Sequence, residues 1–185
     1  MARVPVVTPK DVPANEQAAY DAFVKRRGKF PDHGPYTLLL HMPEVAYMLE
    51  TLRLAIRDEA SVPQKIQELV MITVAREMDC AYIWFAHAAS AREIGVRGDV
   101  IDAIREKRAV TGLSADEQAA ADFARELLRN RKVAKATFDR ASSSFGKRGT
   151  MTLSTLIASY ASLAYFMNAY ELEPPAHATE KPLPV

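Results

Sequence analysis

Several things are scarce in this sequence, and each scarcity excludes something. One cysteine, Cys80, stands among 185 residues. No intrachain disulfide can therefore form, and a lone thiol fits a reducing compartment. Charge of one sign is missing too: Lys+Arg is 24 and Asp+Glu is 23, for a formal net charge of +1. That balance leaves no electrostatic footprint for nucleic acid or an anionic membrane. No apolar run approaches the roughly 20 residues needed to span a bilayer. The first nine residues contain Pro5 and Pro9 and too short an apolar stretch to read as a signal peptide, so a cytoplasmic protein is expected. Glycine is sparse, with 7 in the chain. There is no glycine-rich phosphate loop and no Gly-x-Ser-x-Gly elbow, so neither a nucleotide cofactor nor a serine hydrolase is supported. β-Branched residues nowhere alternate with polar ones over a long run, no repeat of fixed period occurs, and no segment is of low complexity.

What remains is a chain rich in Ala, Leu, Met, Glu, Lys and Arg, 49% hydrophobic by composition, which is enough for one sizeable core. Prolines mark residues 1–13 as an extended N-terminal arm and residues 174–185 as an extended tail. The helical domain lies between them, at 14–173. Asn15-Glu16-Gln17 opens a helix that stops near Gly28. Pro43 sits in the first turn of a second, running to about Arg57. Ser61 and Gln64 form an expected capping box for a third, over 63–77. Asp79 is the expected cap of a fourth, over 80–94, with Gly95 as its left-handed stop. Asp99 opens a short helix, and Ser114 with Glu117 forms another capping box. Segments 134–143 and 151–170 complete about eight helices, an all-α fold. The last carries Leu153, Leu156, Ile157, Tyr160, Leu163, Phe166 and Tyr170, more apolar surface than one small domain needs, which points to an interface. Methionines 42, 48, 71, 78, 151 and 167 read as core filler.

Chemistry concentrates between Glu68 and His87. Cys80 falls in the first turn of the fourth helix, where unpaired N–H groups and the helix dipole favour a thiolate. His87, seven residues on, shares its face about 10 Å along the axis. That is too far for a direct hydrogen bond, and Ile83 lies between them on the same stripe. Glu68 reaches His87 only if the turn at 78–79 folds the two helices side by side.

Glu68, eleven residues, Cys80, two residues, Ile83, three residues, His87: this order resembles the core of the carboxymuconolactone decarboxylase and alkylhydroperoxidase D superfamily. Gly34-Pro35-Tyr36, the stretch Leu38 to Ala46, the helix Glu68 to Ala75 and Cys80-x-Tyr82-x-Trp84-x-x-His87 are similar to it as well, so the likeness spans roughly residues 30–172. The resemblance implies an alkylhydroperoxidase D-like helical domain around a central antiparallel hairpin, 63–77 with 80–94. It also implies a homo-oligomer, trimeric or hexameric, with pockets near subunit contacts. Glu68, Cys80 and His87 take the catalytic positions. In the peroxidase, Glu and His relay protons around two redox cysteines, and here Ile83 stands where the second cysteine would be. A peroxiredoxin-type activity would then need a one-cysteine route, with a Cys80 sulfenic acid reduced by an external thiol. The decarboxylase branch implies instead a cofactor-free lyase or proton-transfer enzyme for a small carboxylated ring or lactone. His87 would be its general acid and Glu68 the acid's partner. Tyr82, Ile83 and Trp84 would line the substrate pocket, and Arg76 or Arg92 would hold a substrate carboxylate.

Plainer readings stand beside these. A lone cysteine is commonly a small buried hydrophobe. Glu68 can be a solvated side chain, and Tyr82 and Trp84 can be packing. His33, His41 and His177 read as structural. The Cys80–His87 spacing is not a standard ligand pair, so no metal is expected. A third possibility is a binding or scaffold protein that kept the fold and lost the chemistry; it predicts a collapsed pocket at Ile83. The expected partners are a small-molecule substrate and further copies of the chain, with no nucleic acid and no membrane.

Overall fold

A computed structural model describes residues 2–175 and 178–184; His177 lies outside them. Among the described residues there are eight α-helices and no strand. They are α1 Gln17–Arg27, α2 Tyr36–Leu39, α3 Pro43–Arg57, α4 Gln64–Glu77, α5 Ala81–Glu93, α6 Gly98–Arg105, α7 Ala115–Asn130 and α8 Lys135–Ala169, preceded by the 3-10 turns Pro9–Asp11 and Ala14–Glu16. No helix is long and apolar enough to cross a membrane among these residues.

α4 is the axis of the fold. From Ile66 to Arg76 only Glu68 is not fully buried, because α5, α7 and α8 all pack against it. A helix apolar on nearly every side must sit inside. α4 ends where Asp79 takes a left-handed conformation, φ 46°, and the Cys80 N–H reaches back to the Ala75 carbonyl at 2.8 Å. This Schellman-type closure lets α5 start at once, so α4 and α5 form the expected antiparallel hairpin. Two expected caps are corrected here. Asp79 does not cap α5: its carboxylate pairs with Arg76 and Lys107, and Cys80 itself is the N-cap residue, without a side-chain cap bond. Ser61 does not cap α4, since its hydroxyl meets Thr152 at 3.3 Å and Pro63 is the N-cap. The Ser114–Glu117 capping box forms with both of its bonds.

The two C-terminal segments join into α8, bent at Gly146, whose φ 65°, ψ −179° only glycine adopts readily. One turn on, Gly149 packs so tightly that an added Cβ would meet the Ser61 carbonyl oxygen at 2.9 Å. A second, smaller core joins Val7, Tyr20, Phe23, Tyr36, Leu39, Leu40 and Ala46, and Leu163 and Phe166 of α8 touch both cores. Met71 and Met167 are buried and Met78 packs on the main core, but Met42, Met48 and Met151 are exposed, against the expectation that all were filler. The proline-rich tail offers carbonyls but few donors. Those of Lys181, Pro182 and Pro184 accept from Trp84 Nε1, Arg105 and Arg76, and Glu180 pairs with Arg92.

Candidate functional site

The hairpin brings Glu68 and His87 together. Glu68 Oε2 lies 2.9 Å from His87 Nδ1, and the two side chains keep 18% and 20% of their exposure. A carboxylate on Nδ1 makes that nitrogen the donor and leaves Nε2 as the free ring nitrogen. Tyr160 of α8 sets its ring edge-on to the imidazole, with centroids 5.0 Å apart.

His87 opens onto a cavity of about 530 Å³ at the seam between the two cores. Ile83, Phe85, Leu163 and Met167 supply its apolar wall, and Tyr36, Tyr82 and Tyr160 its phenols. Glu68 sits behind His87, in a smaller adjoining recess of about 80 Å³ that shares Arg53, His87 and Tyr160 with the main cavity. The pocket at Ile83 is therefore open rather than collapsed. Burial, and then the Glu68 charge, push the Tyr160 phenol well above its ordinary pKa. Burial likewise pushes Tyr82 up to about 12. Both phenols therefore remain protonated donors at neutral pH.

Cys80 is elsewhere. It is 1% exposed and lines neither space. Burial pushes its thiol pKa up, and the backbone N–H groups of Ile83 and Tyr82 only partly offset this. The helix-start effect expected from the sequence is present, but desolvation outweighs it.

Tyr82 and Ile83 line the cavity as expected, whereas Trp84 does not. It is 2% exposed and faces the tail, to which its indole is bonded at 2.9 Å. Arg76 and Arg92 are likewise committed to Asp79 and to Glu180. The cavity's guanidiniums are Arg27 and Arg53, which sequence reasoning passed over. Glu50-x-x-Arg53 is an ordinary i, i+3 helix pair on paper, and nothing local marks Glu50 as fully buried, 0% exposed. Among the described residues no three His, Cys, Asp or Glu side chains gather as a metal site.

These features define an all-helical protein with a Glu–His pair at the wall of an open cavity. Residues 43–126 match the model of the Carboxymuconolactone decarboxylase family. No protein of curated function matches the chain. Among solved structures it is similar to an uncharacterized peroxidase-related protein from Silicibacter sp. TM1040, with TM-score 0.75, 16% identity, and 97% of this chain and 93% of that one covered. It is also similar to the alkylhydroperoxidase AhpD core of a peroxidase-related protein from Ralstonia eutropha JMP134, with TM-score 0.74, 17% identity, and 95% and 93% covered. A third likeness is to the debrominase Bmp8 in its apo form, with TM-score 0.71, 16% identity, and 94% and 92% covered. At these identities the likeness is one of fold.

Proposed function

We propose that the protein is a cofactor-free proton-transfer enzyme of the lyase type, acting on a small carboxylated ring or lactone. One observation carries this reading: the Glu68–His87 pair, 2.9 Å apart, opens on a cavity from which Cys80 is absent. In the reaction, the bond between a ring carbon and its carboxylate breaks, CO₂ leaves, and the electron pair remains on the ring, spread onto the lactone carbonyl oxygen. His87, as imidazolium, donates its Nε2 proton to carbon and regains one from water. Glu68 accepts from Nδ1–H, which fixes the ring and stabilises its positive form. The protonated phenol of Tyr160 is a donor for the developing oxyanion. The apolar wall from Ile83 to Met167 lowers the local dielectric on its side of the site and strengthens these interactions.

The burial of Cys80 and its raised pKa favour this over a one-cysteine peroxidase. The test incubates the protein in D₂O, without added cofactor, with a panel of unsaturated lactone and ring carboxylates, following CO₂ release and deuterium uptake at carbon by NMR. Cys80→Ser is expected to turn over within about twofold of the parent rate, and peroxide followed by dimedone should leave the native thiol unlabelled. Rapid dimedone labelling, with activity lost in Cys80→Ser, would sink the proposal.

The chain is further proposed to act as a homo-oligomer, a trimer or hexamer. α3 turns Val45, Met48 and Leu52 outward beside Met42 at its N-cap, with Met48 58% exposed, and Met151 of α8 is exposed as well. Light scattering during gel filtration should give a trimer or hexamer for the parent and a smaller species for Met48→Lys, because a charge in an apolar interface is poorly compensated. A monomeric parent would refute it.

A further inference from the structure

The cavity holds a second polar unit besides Glu68–His87, and it lies on the other core. Glu50 accepts two hydrogen bonds from Arg53, at 2.8 and 2.7 Å, and a longer one from Arg27 Nη1 at 3.3 Å. One buried carboxylate thus faces two guanidiniums, both of which line the cavity. Arg53 takes both Glu50 oxygens in a bidentate fork, so Arg27 is the less satisfied of the two. Its guanidinium carbon sits 4.8 Å from the centroid of the Tyr36 ring, which holds the plane in place, and its Nε is buried with no hydrogen-bond partner among the described residues. The Tyr82 hydroxyl, on the same cavity, is also buried and unpartnered. Its place is kept by Gly34, where a Cβ would come within 3.2 Å of that oxygen. On the rim, Lys29 lines the opening, and exposed Asp32 pairs with His33 and offsets it. Arg27 and Arg53 share the one carboxylate of Glu50, and the next carboxylate, Glu68, is engaged by His87.

Buried donors without acceptors, beside two guanidiniums that share one carboxylate, are unfavourable until an acceptor arrives. A carboxylate supplies two acceptor oxygens and a second negative charge for the pair, and guanidinium is the group that matches it in geometry. We propose that Arg27, Arg53 and the Tyr82 hydroxyl form an anion subsite that anchors a carboxylate on the ring ligand, with Glu50 as the positioning residue that aims both guanidiniums. Arg53 and His87 line the same recess, so an anchored ring lies against the imidazole. This rests on the proton-transfer reading above. It also restricts it: the anchored carboxylate is stabilised as an anion, so it is not the group lost as CO₂.

The probes are furan-2-carboxylate and its neutral isostere furan-2-carboxamide, titrated into the full chain while the Arg27 Nε–H resonance is followed by NMR. The acid is expected to bind about 10- to 100-fold more tightly than the amide, in line with a hydrogen bond to a charged group, and to shift that resonance. Arg27→Gln should bring the two affinities together by weakening the acid alone, and Arg27→Lys should restore part of the preference. Equal affinities in the parent, no saturable binding of the acid, or a preference that survives Arg27→Gln would each overturn the subsite. A preserved preference without any turnover on the carboxylate panel would refute the proton-transfer reading and leave the subsite standing.

Discussion

His87→Ala is expected to lower turnover by roughly 10²- to 10⁴-fold, the range for loss of a positioned general acid, with little change in substrate affinity. Glu68→Gln should fall toward the same range for a different reason. The glutamine can still reach Nδ1, but its amide group can donate as well as accept. It therefore permits the tautomer with the proton on Nε2 and the lone pair on Nδ1, and it brings no negative charge to an imidazolium. The native pair allows one arrangement: Glu68 accepts only, so Nδ1 must donate across the 2.9 Å contact. For the neutral imidazole, side-chain ¹⁵N spectra should show a single Nδ1–H tautomer in the native protein and a mixture in Glu68→Gln, a readout that a merely structural role would not move. If Glu68→Gln keeps full kcat with the tautomer redistributed, Glu68 is packing and the acid works alone. If His87→Ala keeps kcat, the proposed reaction is wrong.

The hairpin was legible because its signals are local and redundant: proline and glycine punctuation, one long apolar stretch, and a Glu–Cys–His spacing that works only if two helices fold back. The tautomer-setting contact followed from that spacing. The side of α5 on which each group would fall was less legible. Cys80, Ile83 and His87 were read as one stripe and Trp84 as pocket lining, yet Ile83 and His87 face the cavity while Trp84 turns to the tail and Cys80 is sealed in the core. A stripe fixes angular position on a helix, whereas what covers it is decided by segments distant in sequence. Here these are residues 180–184 on one side and α8 on the other. The same distance hid the cationic end of the site. Arg27 closes α1, Arg53 lies on α3 and Tyr160 on α8, and only the packing of the two cores across Leu163 and Phe166 brings them into one space. The caps at Ser61 and Asp79 failed for a related reason: each side chain found a stronger partner, Thr152 for one and Arg76 with Lys107 for the other.

Glu50→Gln is expected to destabilise the fold by about 3 kcal/mol at neutral pH, at the lower end for breaking a buried ion pair because both guanidiniums keep some contact with water. For a chain of this size that corresponds to a Tm lower by roughly 6–12 °C. The Glu50 side chain is 1% exposed and those of Arg27 and Arg53 are 24% and 30%, so losing the carboxylate charge leaves two half-buried cations facing each other. The pH dependence gives this its sign. Burial raises the Glu50 pKa, but the hydrogen bonds and charges of Arg53 and Arg27 outweigh it, so the carboxyl titrates below its ordinary value. A carboxyl whose folded pKa is depressed contributes stability that is fully present above its unfolded pKa, and that stability is lost as pH falls through the folded one. The difference in Tm between the parent and Glu50→Gln should therefore be widest near neutrality and narrow in acid, where the parent protonates too. Adding Arg53→Met to a Glu50→Met background should recover much of the loss, since it removes one of the opposed cations and fills the space with an apolar side chain. A Tm difference under about 2 °C, or one that does not narrow in acid, would mean that the two guanidiniums are held apart by something other than Glu50.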